Sequence, residues 1–405
     1  MFQNQKIAKD IYYVGVNDRQ KHKFENMISL PNGVSYNSYL IMDEKTALVD
    51  TVDISFGDIF IEKIQSQLQG RTLDYLIINH MEPDHSGSIR IIRKYYPEMI
   101  IVGNIKTLSM VDGYYGVTDN TLEIKDGQIL SLGTHKLEFH LTPMVHWPET
   151  MMTFDQATKV LFTGDAFGCF GTLDGAVVDQ DMNVDKYWDE MARYYANIVG
   201  KYGAPIQKAL KKLTPIDFEI ICSTHGPVWK KYITEVVDMY DQFSRYHGED
   251  GVVIIYGSMY GNTELMAETV AQGLSQSGVK NIIIHNVSKS DPSIIIRDIF
   301  KYKGIIVGSP TYSNELYPEV ESLLRKIEIR QVKNRVFGCF GSYTWASAAI
   351  KRLTTFVETM KWQSAEITVD EKQGLKEDNY KACLELGRQV AVLMKNLVDE
   401  PEHCV

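Results

Sequence analysis

Asn79-His80-Met81-Glu82-Pro83-Asp84-His85-Ser86-Gly87-Ser88 is the stretch on which the reading of the first half of the chain turns. It follows Leu73-Asp74-Tyr75-Leu76-Ile77-Ile78, an apolar run of strand length, and precedes a helix expected to begin near Ser88. His80, Glu82, Asp84 and His85 therefore sit together in a loop at the carboxyl end of a strand, where open α/β sheets place their chemistry. Clustered polar donors directly after a buried strand have little structural purpose, which makes metal binding the favoured reading.

Further along, the same arrangement returns in simpler form. Leu137-Glu138-Phe139-His140-Leu141-Thr142-Pro143 leads to His146, and Lys159-Val160-Leu161-Phe162-Thr163-Gly164 leads to Asp165. Glu219-Ile220-Ile221-Cys222-Ser223-Thr224 leads to His225, with Gly226-Pro227 immediately after. Alone, a histidine or aspartate at a strand end is usually a cap or a surface residue. Converging strand ends would gather His80, Glu82, Asp84, His85, His146, Asp165 and His225, enough for two divalent metals with one carboxylate bridging. The absence of thiolate and the share of hard oxygen ligands suit iron or manganese better than structural zinc. His22, His135, His140, His247, His285 and His403 have no such context and stay unassigned.

Earlier runs (Ile11 to Val16, Ser35 to Met42, Thr46 to Asp50) read as strands, and Ile59 to Gln69 and Ile89 to Tyr96 as helices, giving a sheet-rich α/β domain with antiparallel pairs near its start. The polar stretch His247-Gly248-Glu249-Asp250-Gly251 reads as a linker, placing one domain at 1–248 and another at 251–405. After it, short apolar strands alternate with helices: Val252 to Tyr256, Asn281 to His285, Gly304 to Gly308 and Arg335 to Phe340, with a closing helix from Asp378 to Leu397. That alternation predicts a doubly wound parallel sheet.

Three strand ends of the second half offer a ligand cradle. Gly257-Ser258-Met259-Tyr260-Gly261-Asn262-Thr263 joins a strand to a helix, so that helix-start N–H groups and the Ser258 and Thr263 hydroxyls can hold a monophosphate without a lysine. No Gly-Lys-Ser/Thr follows, and the spacing is not that of a dinucleotide fingerprint. Ser309-Pro310-Thr311-Tyr312-Ser313-Asn314 and Gly341-Ser342-Tyr343-Thr344-Trp345 add aromatics and amides able to stack on and bond a planar ring, although loop aromatics are often only packing.

Bulk properties narrow the function classes. With 44% hydrophobic and 23% charged residues in 405, the chain has globular usage and length for more than one core. A net charge of -10 argues against a nucleic-acid groove and against anchoring on an anionic membrane. No apolar run is long enough to span a bilayer, and the first residues lack the apolar core of a signal peptide, so the expected location is the cytoplasm. The 5 cysteines (Cys169, Cys222, Cys339, Cys383, Cys404) are scattered without a C-x-x-C pair, which leaves no rubredoxin-like or zinc-ribbon module. Any iron–sulfur electron donor is expected to be a separate protein.

The H-x-E-x-D-H run, with His146, Gly164-Asp165 and His225-Gly226, resembles the metallo-β-lactamase-like domain of flavodiiron proteins, and the three later loops resemble the FMN site of flavodoxins. Hydrolytic relatives usually carry histidine where this chain has Glu82. The resemblance covers essentially the whole chain, and implies an αββα sandwich followed by a flavodoxin-like domain. It also implies His80, Glu82 and His146 on one iron, Asp84, His85 and His225 on the other, and Asp165 between them. FMN would lie against Ser258, Met259, Tyr260, Gly261, Asn262, Thr263, Pro310, Thr311, Tyr312, Asn314, Gly341, Ser342, Tyr343 and Trp345. An external donor such as rubredoxin or a related reductase would reduce FMN, and dioxygen would go to water or nitric oxide to nitrous oxide. A head-to-tail homodimer or a dimer of dimers is implied as well, as is a supporting role for the Tyr194-Tyr195 stretch, with Tyr195 the candidate for catalysis. Two rivals stand beside this reading: a zinc hydrolase with an appended flavodoxin-like sensor, against which Glu82 speaks, and an electron carrier with a structural or empty metal site.

Overall fold

The computed structural model describes residues 3–397, so His403 and Cys404 lie outside the described residues. Contacts divide the chain into two compact units. One runs to Tyr195 and resumes over Ala204–Asp241; the other takes Ala196–Gly203 and the described residues from Gln242 onward.

In the first unit, Gln5–Ala8, Ile11–Tyr13, Tyr39–Met42, Thr46–Val49, Tyr75–Ile77, Ile100–Gly103 and Thr121–Glu123 form a seven-stranded sheet in that order. Its early pairs are antiparallel, and pairing turns parallel from Thr46–Val49 onward as helices begin to alternate with strands. A five-stranded sheet follows: Ile129–Ser131, Lys136–Leu141, Met151–Asp155, Val160–Gly164 and Ile220–Ser223. Two neighbouring inner strands of this sheet, Met151–Asp155 and Val160–Gly164, are buried at every residue, which a strand covered on both faces requires. The sheets meet face to face, where the Tyr39 ring lies 5.4 Å from that of Phe162 and the Tyr39 hydroxyl donates to the Ser223 carbonyl at 2.8 Å. This is the expected αββα sandwich. It brings the carboxyl ends of Tyr75–Ile77, Val160–Gly164 and Ile220–Ser223 together with the turn between Lys136–Leu141 and Met151–Asp155.

A buried network fixes that end. Asp50, at φ +54°, accepts from the Asn79 backbone N–H at 2.8 Å and from its Nδ2 at 3.0 Å, while Thr153 Oγ1 donates to Asn79 Oδ1 at 2.7 Å. Burial pushes the Asp50 carboxyl up to about 6, with the Asn79 bonds and nearby His85 pulling against it.

The second unit is a parallel sheet in the order Ile282–Asn286, Glu249–Tyr256, Tyr302–Tyr312, Val336–Tyr343, with Gln363–Ser364 and Val369–Lys372 both beside the last. This is the doubly wound sheet expected from the strand–helix alternation. Three strands run longer than the sequence reading put them. Glu249 and Asp250, read as linker, begin the first strand, while Ser309 to Tyr312 and Gly341 to Tyr343, read as loops, extend their strands. Ladder pairing overrode local polarity there: Ser309 pairs with Gly341 and Pro310 with Ser342. Beyond Tyr312 the chain reverses through Ser313 and Asn314, both at positive φ, into Glu315–Leu316.

On one face, the helices Asn262–Gln276 and Glu377–Asn396 pack against each other at Gly273 and Gly387, and their Val270 and Leu386 join the strand residues Val252 and Ile254 in one core. A Cβ at Gly273 would overlap the Leu384 carbonyl, a backbone atom that cannot move aside cheaply. Gly273→Ala is expected to destabilise this unit by about 1–3 kcal/mol, the range for overpacking. In a calorimetric scan its transition should move down while that of the first unit stays in place.

Candidate metal centre and flavin cradle

His80, Glu82, Asp84 and His85 come from the loop after Tyr75–Ile77, with Pro83 opening a one-turn helix, Pro83–Ser86, that carries Asp84 and His85. His146 stands in the turn before Met151–Asp155, Asp165 directly after Val160–Gly164, and His225 just beyond Ile220–Ser223. Gly164, at φ +59°, turns the chain at the strand end and thrusts Asp165 inward. All seven side chains converge, and His80, His85, His225 and Asp165 are fully or almost fully buried.

The geometry sorts them around the two oxygens of Asp165. On the Oδ2 side, His146 Nε2 lies 3.1 Å from Asp165 and 3.1 Å from Glu82 Oε2, and His80 Nε2 lies 3.6 Å from Asp165 and 3.5 Å from Glu82. On the Oδ1 side, His85 Nε2 is 3.0 Å from Asp165 and 3.3 Å from Asp84 Oδ1. His225 Nε2 is 3.2 Å from Asp84 Oδ2 and 3.6 Å from Asp165 Oδ1.

These spacings fit ligands of a shared ion. Two donors each about 2.1 Å from a metal, at tetrahedral to octahedral angles, stand about 3.0–3.5 Å apart. Among the described residues, the buried atoms Asp84 Oδ1 and Oδ2, His85 Nε2 and His225 Nε2 also have no hydrogen-bond partner, which buried polar atoms do not tolerate without an ion or water. The residues present therefore fit two metal ions, and the hard nitrogen and oxygen donor set suits iron.

Surrounding groups set the tautomers. His80 Nδ1 donates to Glu149 Oε1 at 2.7 Å, a carboxylate that also accepts from the Met81 N–H at 2.9 Å. His225 Nδ1 donates to the Ser35 carbonyl at 2.8 Å, and Ser35 Oγ accepts from the Gly226 N–H. Each bond places the proton on Nδ1 and leaves the Nε2 lone pair facing the cluster. Thr51 donates to the His85 carbonyl through both its N–H and its Oγ1, and Thr224 Oγ1 donates to Asp165 Oδ1 at 2.5 Å.

The electrostatics are those of a cation site. Burial disfavours the imidazolium of His146, yet its bonds to Asp165 and Glu82 outweigh that and lift its pKa to about 10. Burial likewise opposes ionisation of Asp165, and the facing His85 and His80 hold its carboxyl well below the usual range. The same negative field binds a divalent cation through neutral imidazoles.

Sequence reasoning did not find Glu149, Ser35 or Glu25. Glu25 belongs to the hairpin of Lys23–Phe24 and Ile28–Ser29, whose turn holds Glu25 and Asn26 at φ +47° and +56°. That turn brings the Glu25 carboxyl near Glu82, and burial, then the Glu82 charge, push its pKa up to about 7. A 510 Å³ cleft, lined partly by Lys21, Phe24, Glu25 and Arg90, opens onto Glu82 and Asp84.

The two tyrosines of the pair meet different neighbours. Tyr195 packs edge-on to Tyr240 at 4.9 Å, whereas Tyr194 lies 5.6 Å from the His225 ring. Burial, then Asp165 and Glu82, push the Tyr194 phenol far up, and its hydroxyl has no hydrogen-bond partner. The helix Asp185–Tyr194 passes into a π-turn, Tyr195–Val199, which buries both rings and directs them to different neighbours. Trp147 stands edge-on to His80 at 5.3 Å.

In the second unit, Gly261 caps the helix Asn262–Gln276 at φ +92°, and its N–H donates to Ser258 Oγ at 3.0 Å. Thr263 Oγ1 and Ser342 Oγ are 3.0 Å apart, and Asn262 bridges the Gln373 carbonyl and the Leu375 N–H. Thr311 Oγ1 accepts from the Ala348 N–H. Tyr260 and Trp345 are 97% and 80% exposed, with Met259 and Tyr312 also exposed. A helix start with hydroxyls on its rim, ringed by aromatic faces, fits the phosphate and the planar ring of FMN.

A family model described as the ODP family beta lactamase matches residues 34–226, and a flavodoxin model matches residues 254–387. The chain is 30% identical over 393 residues to the anaerobic nitric oxide reductase flavorubredoxin of Escherichia coli, covering 95% of this chain and 81% of that one. It superposes on the rubredoxin oxygen:oxidoreductase of Desulfovibrio gigas with a TM-score of 0.93 at 28% identity, covering 97% of this chain and 99% of that one. The flavodiiron protein of Giardia intestinalis, at 24% identity, shares the fold with a TM-score of 0.93 over 99% of each chain. With that relative, those solved structures, two donor groups split by one aspartate and a flavin cradle on a parallel sheet, the chain belongs to the flavodiiron family.

Proposed function

We propose that this protein reduces dioxygen to water, nitric oxide to nitrous oxide, or both. The observation that carries the reading is the Asp165 carboxylate, one oxygen facing His80, Glu82 and His146 and the other facing Asp84, His85 and His225. In this reading those six residues hold two irons and Asp165 joins them. The expected halves, 1–248 for diiron and 251–405 for FMN, are kept here with the boundary moved: by contacts, Ala196–Gly203 and the residues from Gln242 to Asp250 go with the FMN half. Bound in these places, FMN would supply electrons received from an external donor, and the two irons would supply the centre at which the gas is held and reduced.

The chain's own residues then have definable tasks. Glu149 and Ser35 fix His80 and His225 as neutral, Nε2-directed ligands. Tyr194, kept protonated by burial and nearby carboxylates, offers its Oη proton toward the ligand cluster; its place against His225 supports it over Tyr195 for this role. The cleft beside Glu25 admits a small gas. Ser258, Asn262 and Thr263, with the first N–H groups of their helix, bind the flavin phosphate. Tyr260, Tyr312, Tyr343 and Trp345 border the ring.

A rubredoxin-type donor is supported by the names of the relatives. A head-to-tail homodimer or dimer of dimers follows from the family resemblance. Among the described residues no helix is long and apolar enough to cross a membrane. The described cysteines are buried free thiols, which supports a reducing, cytoplasmic setting.

Fully reduced, iron- and FMN-loaded protein mixed with limiting dioxygen should reoxidise its flavin rapidly without releasing peroxide, and with nitric oxide it should yield nitrous oxide. Asp165→Ala should lose either reaction by more than about a hundredfold, beyond what surrounding groups alone contribute, while still binding FMN. Slow reoxidation with stoichiometric peroxide, together with no nitrous oxide formed from nitric oxide, both equal in wild type and D165A, would sink the proposal. A milder change tests the support of His80: Glu149→Ala should weaken iron binding about 10–100-fold in chelator competition. E149Q, which keeps an acceptor, should lose less, and FMN content should not move in either variant.

A further inference from the structure

The first unit contains a second cavity that neither the metal cluster nor its entrance cleft uses. It measures 320 Å³ and is walled by Tyr13, Val16, Phe56, Ile59 and Leu173, with Lys63 on its lining. Its volume falls at the lower end of small-ligand pockets, about 300 Å³ and upward.

Lys63 is the unusual member. It projects from the helix Gly57–Leu68, most of whose buried face is aliphatic, yet its stem turns inward. Its ammonium donates to the Gly15 carbonyl and lies 5.2 Å from the centre of the Tyr13 ring. A carbonyl and a ring face are weak partners for a full charge, and no carboxylate among the described residues pairs with it. Burial alone pulls its pKa down to about 8. A largely buried cation without a counter-ion is costly, and the cost is relieved by an anion brought from outside.

Most of the remaining polar groups are already engaged, the buried Asn4 Oδ1 being an acceptor without a hydrogen-bond partner among the described residues. Gln5 Nε2 donates to the Gly175 carbonyl at 2.7 Å, Asn17 exchanges two bonds with Leu173, and Asn4 Nδ2 donates to the Lys63 carbonyl at 2.9 Å. What the cavity offers a ligand is one positive charge and otherwise mostly apolar wall. A strongly hydrated multivalent anion such as phosphate is poorly served there, because most of its oxygens would meet hydrocarbon. A carboxylate on a short aliphatic chain matches both features.

We propose that this cavity is a binding site for a small aliphatic monocarboxylate, its charge paired with Lys63 and its chain against Val16, Phe56, Ile59 and Leu173. The site lies outside the residues assigned to iron and FMN, so it does not depend on the proposed reaction.

Butyrate is the probe, used with the iron- and FMN-loaded full chain at neutral pH. Calorimetric titration should show one saturable site per chain, weakened at least about tenfold, or 1.4 kcal/mol, in Lys63→Met and kept in Lys63→Arg. Inorganic phosphate should not compete. In the wild type itself, butyrate should slow reductive methylation of Lys63, read by peptide mass spectrometry, while leaving exposed lysines unaffected. Absence of saturable binding, equal binding by K63M (which would place butyrate on the irons), or unchanged methylation of Lys63 would each overturn the proposal.

Discussion

A single buried carboxylate organises the first unit. Asp165 presents Oδ2 to His80 and His146 and Oδ1 to His85 and His225, with Thr224 donating to Oδ1. Gathering Glu82, Asp84 and Asp165 in one dry place is unfavourable without positive charge, and four imidazoles alone answer it only by holding protons. Two divalent ions would answer it with the imidazoles left neutral. Much of the surrounding structure keeps these donors from relaxing away: the Asp50–Asn79–Thr153 network at one strand end, Thr51 on the His85 carbonyl, Ser35 on His225 and Glu149 on His80.

How far the sequence foretold this depended on the distance over which each signal acts. His80, Glu82, Asp84 and His85 are neighbours in the chain, so their spacing could be read directly. His146, Asp165 and His225 were legible because each follows an apolar strand, and strand ends of a sandwich meet at one edge. Glu149 and Ser35 had no such signal. They meet their histidines across 69 and 190 residues of chain, and nothing in the local sequence sets them apart from ordinary turn residues. Tyr194 and Tyr195 show another limit: adjacent residues on a regular helix point about 100° apart, and the π-turn after Tyr194 decides which ring meets His225.

In the second unit the apolar runs located the parallel strands, and their lengths were what escaped. Ser309, Pro310, Gly341 and Ser342 are turn-formers by composition, yet they pair with one another because neighbouring strands were already in register. The consequence is functional. The cradle rests partly on the ends of paired strands, with Thr263 and Ser342 in contact and Thr311 bonded to the chain after Trp345, while Ser258 to Gly261 lie in the loop between a strand and a helix. Tyr260 and Trp345 remain exposed at its rim.

The bridging place of Asp165 is tested most directly by crystallising the iron-loaded protein and recording anomalous scattering at the iron edge. The account predicts two iron peaks about 3.5–4 Å apart, the spacing of paired metal sites, with Asp165 Oδ1 bound to one and Oδ2 to the other. A single peak, or both Asp165 oxygens on the same ion, would contradict it.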